Sequence, residues 1–395
     1  MRRHGKWVGS SLSLSVWLSV WLSVSLVMAT AGARVAWAAD EAKVDAKPTA
    51  PALSDILTAS GITATGFLDG TYSYVSTLPS GVTSFDTNTF SLNQASLTLA
   101  YTPAAGFGVL VNPVIGTEAC DGCYAPGYGI GPGTGVAGST SKINLLQGFI
   151  QFVGGKTTLY AGKFLTLAGA EVAAPTGNTN ITRSLLFWYN EPVTHVGARV
   201  AYAASDKATF TAGVNNGWNI DGSTQKGGKT LEVGMTLTPS KVFTLAAAGY
   251  YGDADVASGV AGSPGMVGKR TLLDVVATWT ATAKLTVIGS VDWDQQEKVG
   301  GGTSTASWYG VAGYLNYAIN DTWRTSFRAE YLEDKDGAAT GFGVKTKVDE
   351  GTLTFGYMPA KNFEFRFEGR YDTYKPASGS NNNVTQAWLQ ALYKF

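Results

Sequence analysis

The sequence predicts an all-β fold, a transmembrane antiparallel β-barrel of about sixteen strands with short periplasmic turns and long extracellular loops. Three observations carry this expectation. The chain opens like an exported protein. Segment after segment alternates apolar and polar residues with a period of two. The connections between those segments alternate between short turns and long Gly/Ser/Asp-rich stretches.

The N-terminus comes first in the chain and in the argument. Arg2, Arg3 and Lys6 give a positive start, Trp7 to Thr30 carries no charge, and Ala36-Trp37-Ala38 is a small-x-small pattern. That is the layout of a secretory signal peptide over residues 1–38. A membrane anchor is the rival, since the apolar run reaches the ~20 residues a span needs. The interspersed Ser residues and the Ala-x-Ala ending favour cleavage after Ala38. Residues 39–60, with Lys43, Lys47, Pro48 and Pro51, read as a periplasmic lead-in in which Leu53 to Leu57 makes a single helical turn. The barrel is expected over residues 61–395. Four of the 29 basic residues and none of the 29 acidic ones lie in 1–38, leaving 25 basic and 29 acidic residues, a net charge of −4. So small a charge gives no footing for nucleic acid. The rest of the chain has no uninterrupted apolar run of about 18 residues, so any membrane crossing there requires a closed barrel, the one alternative to helices that satisfies every backbone polar group in lipid.

Alternation then assigns the faces. From Phe363 to Asp372, one face holds Phe363, Phe365, Phe367, Gly369 and Tyr371, and the other Glu364, Arg366, Glu368, Arg370 and Asp372. From Trp323 to Tyr331, Arg324, Ser326, Arg328 and Glu330 oppose Trp323, Thr325, Phe327, Ala329 and Tyr331. Weaker versions run over Leu285–Asp294, Leu231–Leu237 and Val196–Tyr202, where Arg199 takes the polar face. Charged faces of both signs suit a water-filled lumen. Aromatics close the apolar faces at Tyr101, Tyr202, Tyr251, Trp279, Trp293, Trp323, Tyr357 and Tyr371, where interfacial girdles are expected.

Turns such as Pro103-Ala104-Ala105-Gly106, Gly154-Gly155-Lys156 and Asn320-Asp321 alternate with the long segments 77–89, 118–141, 165–194, 217–229, 252–269, 297–305, 334–345 and 374–383. Strand starts are expected near 63, 90, 107, 142, 157, 195, 208, 230, 243, 270, 285, 306, 323, 346, 363 and 384. The final segment, Ala387 to Phe395, puts Ala387, Leu389, Ala391, Tyr393 and Phe395 on one face. It resembles the C-terminal signal strand that outer-membrane proteins present to the barrel-assembly machinery.

Several short segments in order resemble a known family: Gly66-Phe67-Leu68-Asp69, Phe90 to Ala95, Ala161-Gly162-Lys163-Phe164, Gly169-Ala170-Glu171, Thr182 to Phe187 and Thr194 to Arg199. Together they resemble the β-barrel porins of the OmpL-like family over about residues 60–395. The resemblance implies a bacterial outer-membrane pore and supplies no catalytic residues.

The remaining chemistry is sparse. A Ser-His-Asp/Glu arrangement would have to use His195, the only histidine beyond the N-terminal segment, and no motif flags a partner serine; no enzyme is expected. Cys120 and Cys123 lie in a glycine-rich loop. A disulfide is the first reading for an exported chain and metal binding the second, with no other Cys or His nearby. No cofactor is expected and no metal ligand set is assigned. The longest connection, 165–194, is the third on the long-loop side. Inward folding would carry Glu171 and Arg183 into the lumen, with Arg324, Arg328, Arg366 and Arg370 as partners for Glu171, and Glu330, Glu364 and Glu368 for Arg183. The apolar run Leu185 to Tyr189 would then pack on Phe149 or Tyr160. A lid over the mouth is the alternative. Constriction and pore-lining residues are thus expected at Glu171, Arg183, Arg199, Arg324, Arg328, Glu330, Glu364, Arg366, Glu368 and Arg370. Barrels of about sixteen to eighteen strands leave an aqueous channel, so the expected function is passive diffusion of small hydrophilic solutes or ions. A non-conducting structural barrel, an adhesin or sheath, is the alternative. Expected partners are outer-membrane lipid, the assembly machinery through Phe395, and two further copies in a homotrimer.

Overall fold

The computed structural model describes residues 53–76, 88–117, 143–219, 228–253, 268–297 and 303–395. The expected signal peptide, Cys120 and Cys123 lie outside the described residues.

Sixteen strands form the wall: β1 (Thr63–Val75), β2 (Thr89–Tyr101), β3 (Gly106–Ile115), β4 (Ile143–Gly154), β5 (Thr157–Leu165), β6 (Thr194–Ser205), β7 (Ala208–Asn215) and β8 (Thr230–Ser240), then β9 (Phe243–Asp253), β10 (Lys269–Thr280), β11 (Leu285–Gln296), β12 (Ala306–Ala318), β13 (Trp323–Asp334), β14 (Thr346–Ala360), β15 (Phe363–Pro376) and β16 (Asn382–Lys394). Each pairs antiparallel with its sequence neighbours, and β1 pairs with β16 from Phe67↔Lys394 to Val75↔Gln386, closing the barrel. Closure removes the free edges that lipid cannot solvate. Every strand starts within two residues of the position read from the sequence, because period-two alternation and turn chemistry are both local signals.

The two faces separate as the alternation requires. Leu97, Ile150, Val233, Val291 and Phe327 are exposed on the outside, while Asp292, Arg328 and Thr354 on the inside are fully buried. Tyr101, Tyr202, Tyr251, Trp279 and Tyr371 are also exposed outward. Pro113, which has no N–H to donate, sits where the β3–β4 register shifts between Asn112 and Pro113, a position a strand proline tolerates.

A helix, α1 (Leu53–Ser60), precedes the barrel. It is longer than the single turn expected. Its end explains the length: Ser60 Oγ donates to Leu57 O at 2.8 Å, Ile62 N donates to Leu57 O at 3.0 Å, and Gly61 takes φ +71°, a glycine-terminated C-cap.

Candidate functional site

The connection from β5 to β6 does not cover the mouth; it enters the barrel. At its start, Leu167 N donates to the Tyr250 hydroxyl of β9 at 2.8 Å, and Thr166 Oγ1 lies 3.0 Å from the same oxygen. At its end, Val193 N and Thr194 N donate to Asn219 Oδ1. Every residue from Arg183 to His195 is buried. A surface lid would keep one wet face, so continuous burial places this stretch among the inward side chains of the wall.

Within the loop, Pro175–Gly177 form a turn of 3-10 helix, and α2 (Leu185–Tyr189) follows. Ser184 caps α2, its Oγ accepting from Phe187 N at 3.0 Å. The amides of Leu185 and Leu186 point at Glu330 Oε2, at 2.8 and 3.4 Å. The apolar side chains of α2 then join Val75, Val114, Leu146, Trp308, Leu332, Val348, Tyr374, Val384 and Trp388 in one cluster. Leu186 packs separately on Ala312 and Tyr314 of β12. Phe149 and Tyr160, the expected partners of this run, instead make an edge-on pair with each other at 5.5 Å and do not join the cluster. The apolar run packs instead on inward groups of β12 to β16 and of β1, β3 and β4.

The charged ladders of β13, β14 and β15 hold the rest of the loop. Arg328 is the hub. It pairs with Glu171 at 2.8 Å, Glu330 at 2.9 Å and Glu350 at 3.2 Å, and donates to Thr182 O at 2.7 Å. Glu171 also accepts from Ser184 N at 2.6 Å. Glu368 accepts from Ile181 N, Thr182 N, Thr182 Oγ1 and Thr354 Oγ1. Arg370 pairs with Asp372 and donates to Arg183 O at 2.6 Å. Arg366 bonds Glu364 and Pro175 O. Arg324 bonds Glu364 and Thr179 O. Loop carbonyls and amides therefore meet wall arginines and carboxylates of the matching sign, the charge-assisted bonds that are strongest in a low dielectric.

Placed residue by residue, Glu171 finds Arg328, one of the four arginines expected. Arg183 finds none of Glu330, Glu364 or Glu368. Its guanidinium donates instead to Val172 O, Ile181 O and Ala173 O, folding the loop around itself. Three close carbonyls across a turn satisfy its fork without reaching the wall. Arg199 lies apart from this group, paired with Glu232 at 2.6 Å over the Phe164 ring. Most of the remaining set, from Arg328 and Glu330 to Arg366, Glu368 and Arg370, is covered by the loop, whereas Arg324 and Arg199 keep partial exposure.

Other contacts were not assigned from the sequence. Arg270 of β10 is wedged between Trp218 and Trp308, 4.0 and 4.8 Å from their rings, bonds Asp294 at 2.7 Å, and donates to the carbonyls of Tyr189 and Asn190. Its inward parity was readable from the alternation of β10, but its loop partners were not. Glu191 follows in the loop; burial, with Asp274, Glu171 and Glu330 around it, holds its carboxyl well above the usual carboxylate range. His195 is buried, stacks on Tyr250 at 5.0 Å and places Nδ1 3.1 Å from Gly217 O, the setting of a packing histidine.

Comparison with known proteins follows the same line. The sequence matches the family described as "Putative beta-barrel porin-2, OmpL-like" over residues 61–395. No curated protein sequence matches it. Among solved structures, the chain is similar to a loop-deletion mutant of OmpT, an outer membrane protein of Vibrio cholerae (TM-score 0.60, 11% identity, covering 85% of this chain and 99% of that one). It is similar to OprB of Pseudomonas putida (TM-score 0.60, 16% identity, 87% and 96% covered). It is also similar to the outer membrane channel DcaP of Acinetobacter baumannii (TM-score 0.57, 12% identity, 85% and 97% covered).

Proposed function

Because the chain belongs to the OmpL-like family of β-barrel porins, a family of the bacterial outer membrane, we propose that it passes small hydrophilic solutes or ions through a channel narrowed by its own third long loop. The protein is a passive-diffusion porin, a channel rather than an enzyme. The observation that carries the narrower reading is the docking of 171–190 across the lumen onto β13–β15 and onto Arg270. Toward the short turns, inner-face residues such as Tyr160, Arg199, Thr211 and Thr236 keep exposure, which supports an aqueous vestibule below the loop. On the β13–β15 side the charges are matched locally: Arg328, Arg366 and Arg370 each face a carboxylate. Paired charges give short-range fields, so the reading favours selection by size over selection by ion sign. Glu171 contributes to holding the loop rather than to a bare field at the constriction.

Export through residues 1–38, recognition of Phe395 by the barrel-assembly machinery, and Glu171, Arg183, Arg199, Arg324, Arg328, Glu330, Glu364, Arg366, Glu368 and Arg370 as constriction residues belong to the same proposal. So does a homotrimer. OmpT of Vibrio cholerae, similar to this chain at 12% identity, has been solved in a trimer form, and Phe90, Phe107, Ile143 and Ile150 expose a broad apolar face on β2–β4.

Liposome swelling tests the function. Vesicles holding the purified protein should swell in sugars at rates that fall with solute size. Swelling no faster than in protein-free vesicles would overturn the proposal. It would favour the second reading, a non-conducting structural barrel, which has one observation behind it: Ala338, Ala339 and Phe342 of the loop after β13 join the apolar cluster at the long-loop end.

A further inference from the structure

On the β10–β11 side of the lumen, acids meet without an arginine to neutralise them. Asp274 of β10 and Asp292 of β11 are directly opposed in the sheet register, and both point inward. Glu191, at the end of the loop, lies against them: one oxygen from each of the three lies within 4.8 Å of the others. All three side chains are buried. No ion pair among the described residues includes any of them. Arg270, on the same strand as Asp274, is engaged by Asp294 and by the carbonyls of Tyr189 and Asn190.

A second observation points to a ligand. Glu191 Oε2 is sealed from solvent and has no hydrogen-bond partner, and the carboxyl oxygens of Asp274 and Asp292, equally sealed, meet no side-chain N–H donor. The Gly169 N–H faces Asp274, and the Asp274 and Asp292 carboxyls face each other within hydrogen-bond range. Ser290, two residues before Asp292 on the same face, is a further buried oxygen without a partner. The backbone is shaped around the cluster as well. Gly169 adopts φ +94°, and a Cβ there would run into the Glu191 carboxylate. Buried carboxylates without a cationic partner are not sustained as bare anions. A proton or a cation must supply the missing charge.

The donor set selects among cations. Oxygen-only ligands suit hard ions. Magnesium dehydrates reluctantly and keeps several waters, whereas calcium accepts carboxylates in flexible geometry, so carboxylates sealed from solvent suit calcium.

We propose that Glu191, Asp274 and Asp292 form a Ca²⁺ site that ties the end of the lumenal loop to the barrel wall. The site joins two neighbouring strands, β10 and β11, to a loop distant in sequence, a proximity that no local pattern in the chain discloses. It concerns how the loop is held and stands whether or not the lumen conducts.

Because the site is closed, the ion enters as the loop docks. The test is therefore refolding of the full chain in millimolar Ca²⁺, in Mg²⁺ alone, or in chelator, followed by desalting and elemental analysis. Wild-type protein should retain one Ca²⁺ per chain and unfold at a higher temperature than the chelator-refolded sample. Asp292→Asn and Glu191→Gln should each lose the retained ion and the Ca²⁺-dependent rise in Tm. Glu191 lies outside the wall, so its variant carries the test if the Asp292 variant does not fold. Wild-type protein that retains no Ca²⁺ would overturn the proposal and leave protons as the neutralising species. Equal retention in the variants, or retention of Mg²⁺ in place of Ca²⁺, would overturn it too.

Discussion

Arg328 concentrates the energetics of the loop in one side chain. It is fully buried and meets three carboxylates, Glu171, Glu330 and Glu350, together with two loop carbonyls. Removing a buried cation costs more than removing one of its partners, because every acid it faced is left unpaired. Arg328→Met should therefore destabilise the docked loop by about 3–5 kcal/mol. Glu368→Gln should cost about 1–3 kcal/mol, since it keeps the shape but weakens bonds from the Ile181 and Thr182 amides. Hydrogen exchange at 181–186 reads both effects; unchanged protection in Arg328→Met would remove it from the role of hub. Glu171→Gln should leave reversal potentials close to wild type, because Glu171 is buried against the Arg328 guanidinium and the Ser184 amide; a large shift would mean its field reaches the permeating ion. At this scale the sequence disclosed which side chains face inward. It did not disclose their partners, because Glu350 reaches Arg328 only through the β13–β14 register, and Arg183 turned to carbonyls of its own loop.

The elements behave differently. Strands are local objects, and their starts were readable to within two residues. The loop is a tertiary object: α2 has a local cap in Ser184, but its first amides are received by Glu330 of the wall, and that contact is not a local propensity. Glu191 gives the loop a pH dependence. Its carboxyl, faced by Asp274, Asp292, Asp294, Glu171 and Glu330, is held well above the usual range, with burial the largest cause. A carboxyl that binds its proton more tightly when folded favours docking at low pH, and that contribution is lost as pH rises from the ordinary carboxylate value of about 4.3 toward the raised one. In chelator, loop protection near 189–195 should fall with rising pH, and Glu191→Gln should flatten the dependence. A pH dependence surviving in that variant would assign it to another group. The last strand carries its own prediction. Phe395 is exposed outward beside Tyr393, and its backbone exchanges hydrogen bonds with Gly66 of β1. Deleting Phe395 should lower the amount of assembled barrel in outer membranes without changing the conductance of what assembles. Wild-type levels of barrel would count against its part in assembly.

For the whole molecule, the barrel was legible from the alternation and from the need to close every strand edge in lipid. The inward path of residues 165–194 was one of two readings, and the structure decides it through continuous burial from Arg183 to His195. The central claim is that this loop sets the size of an aqueous path. Single-channel recording in planar bilayers, comparing the wild type with a variant lacking residues 172–182, tests it most directly. The deletion removes the bonds to Glu368 and Thr354 and the loop segment that Arg366 and Arg324 hold. The account predicts discrete openings in the wild type and larger ones in the variant. Equal conductance in the two, or none in either, would contradict it.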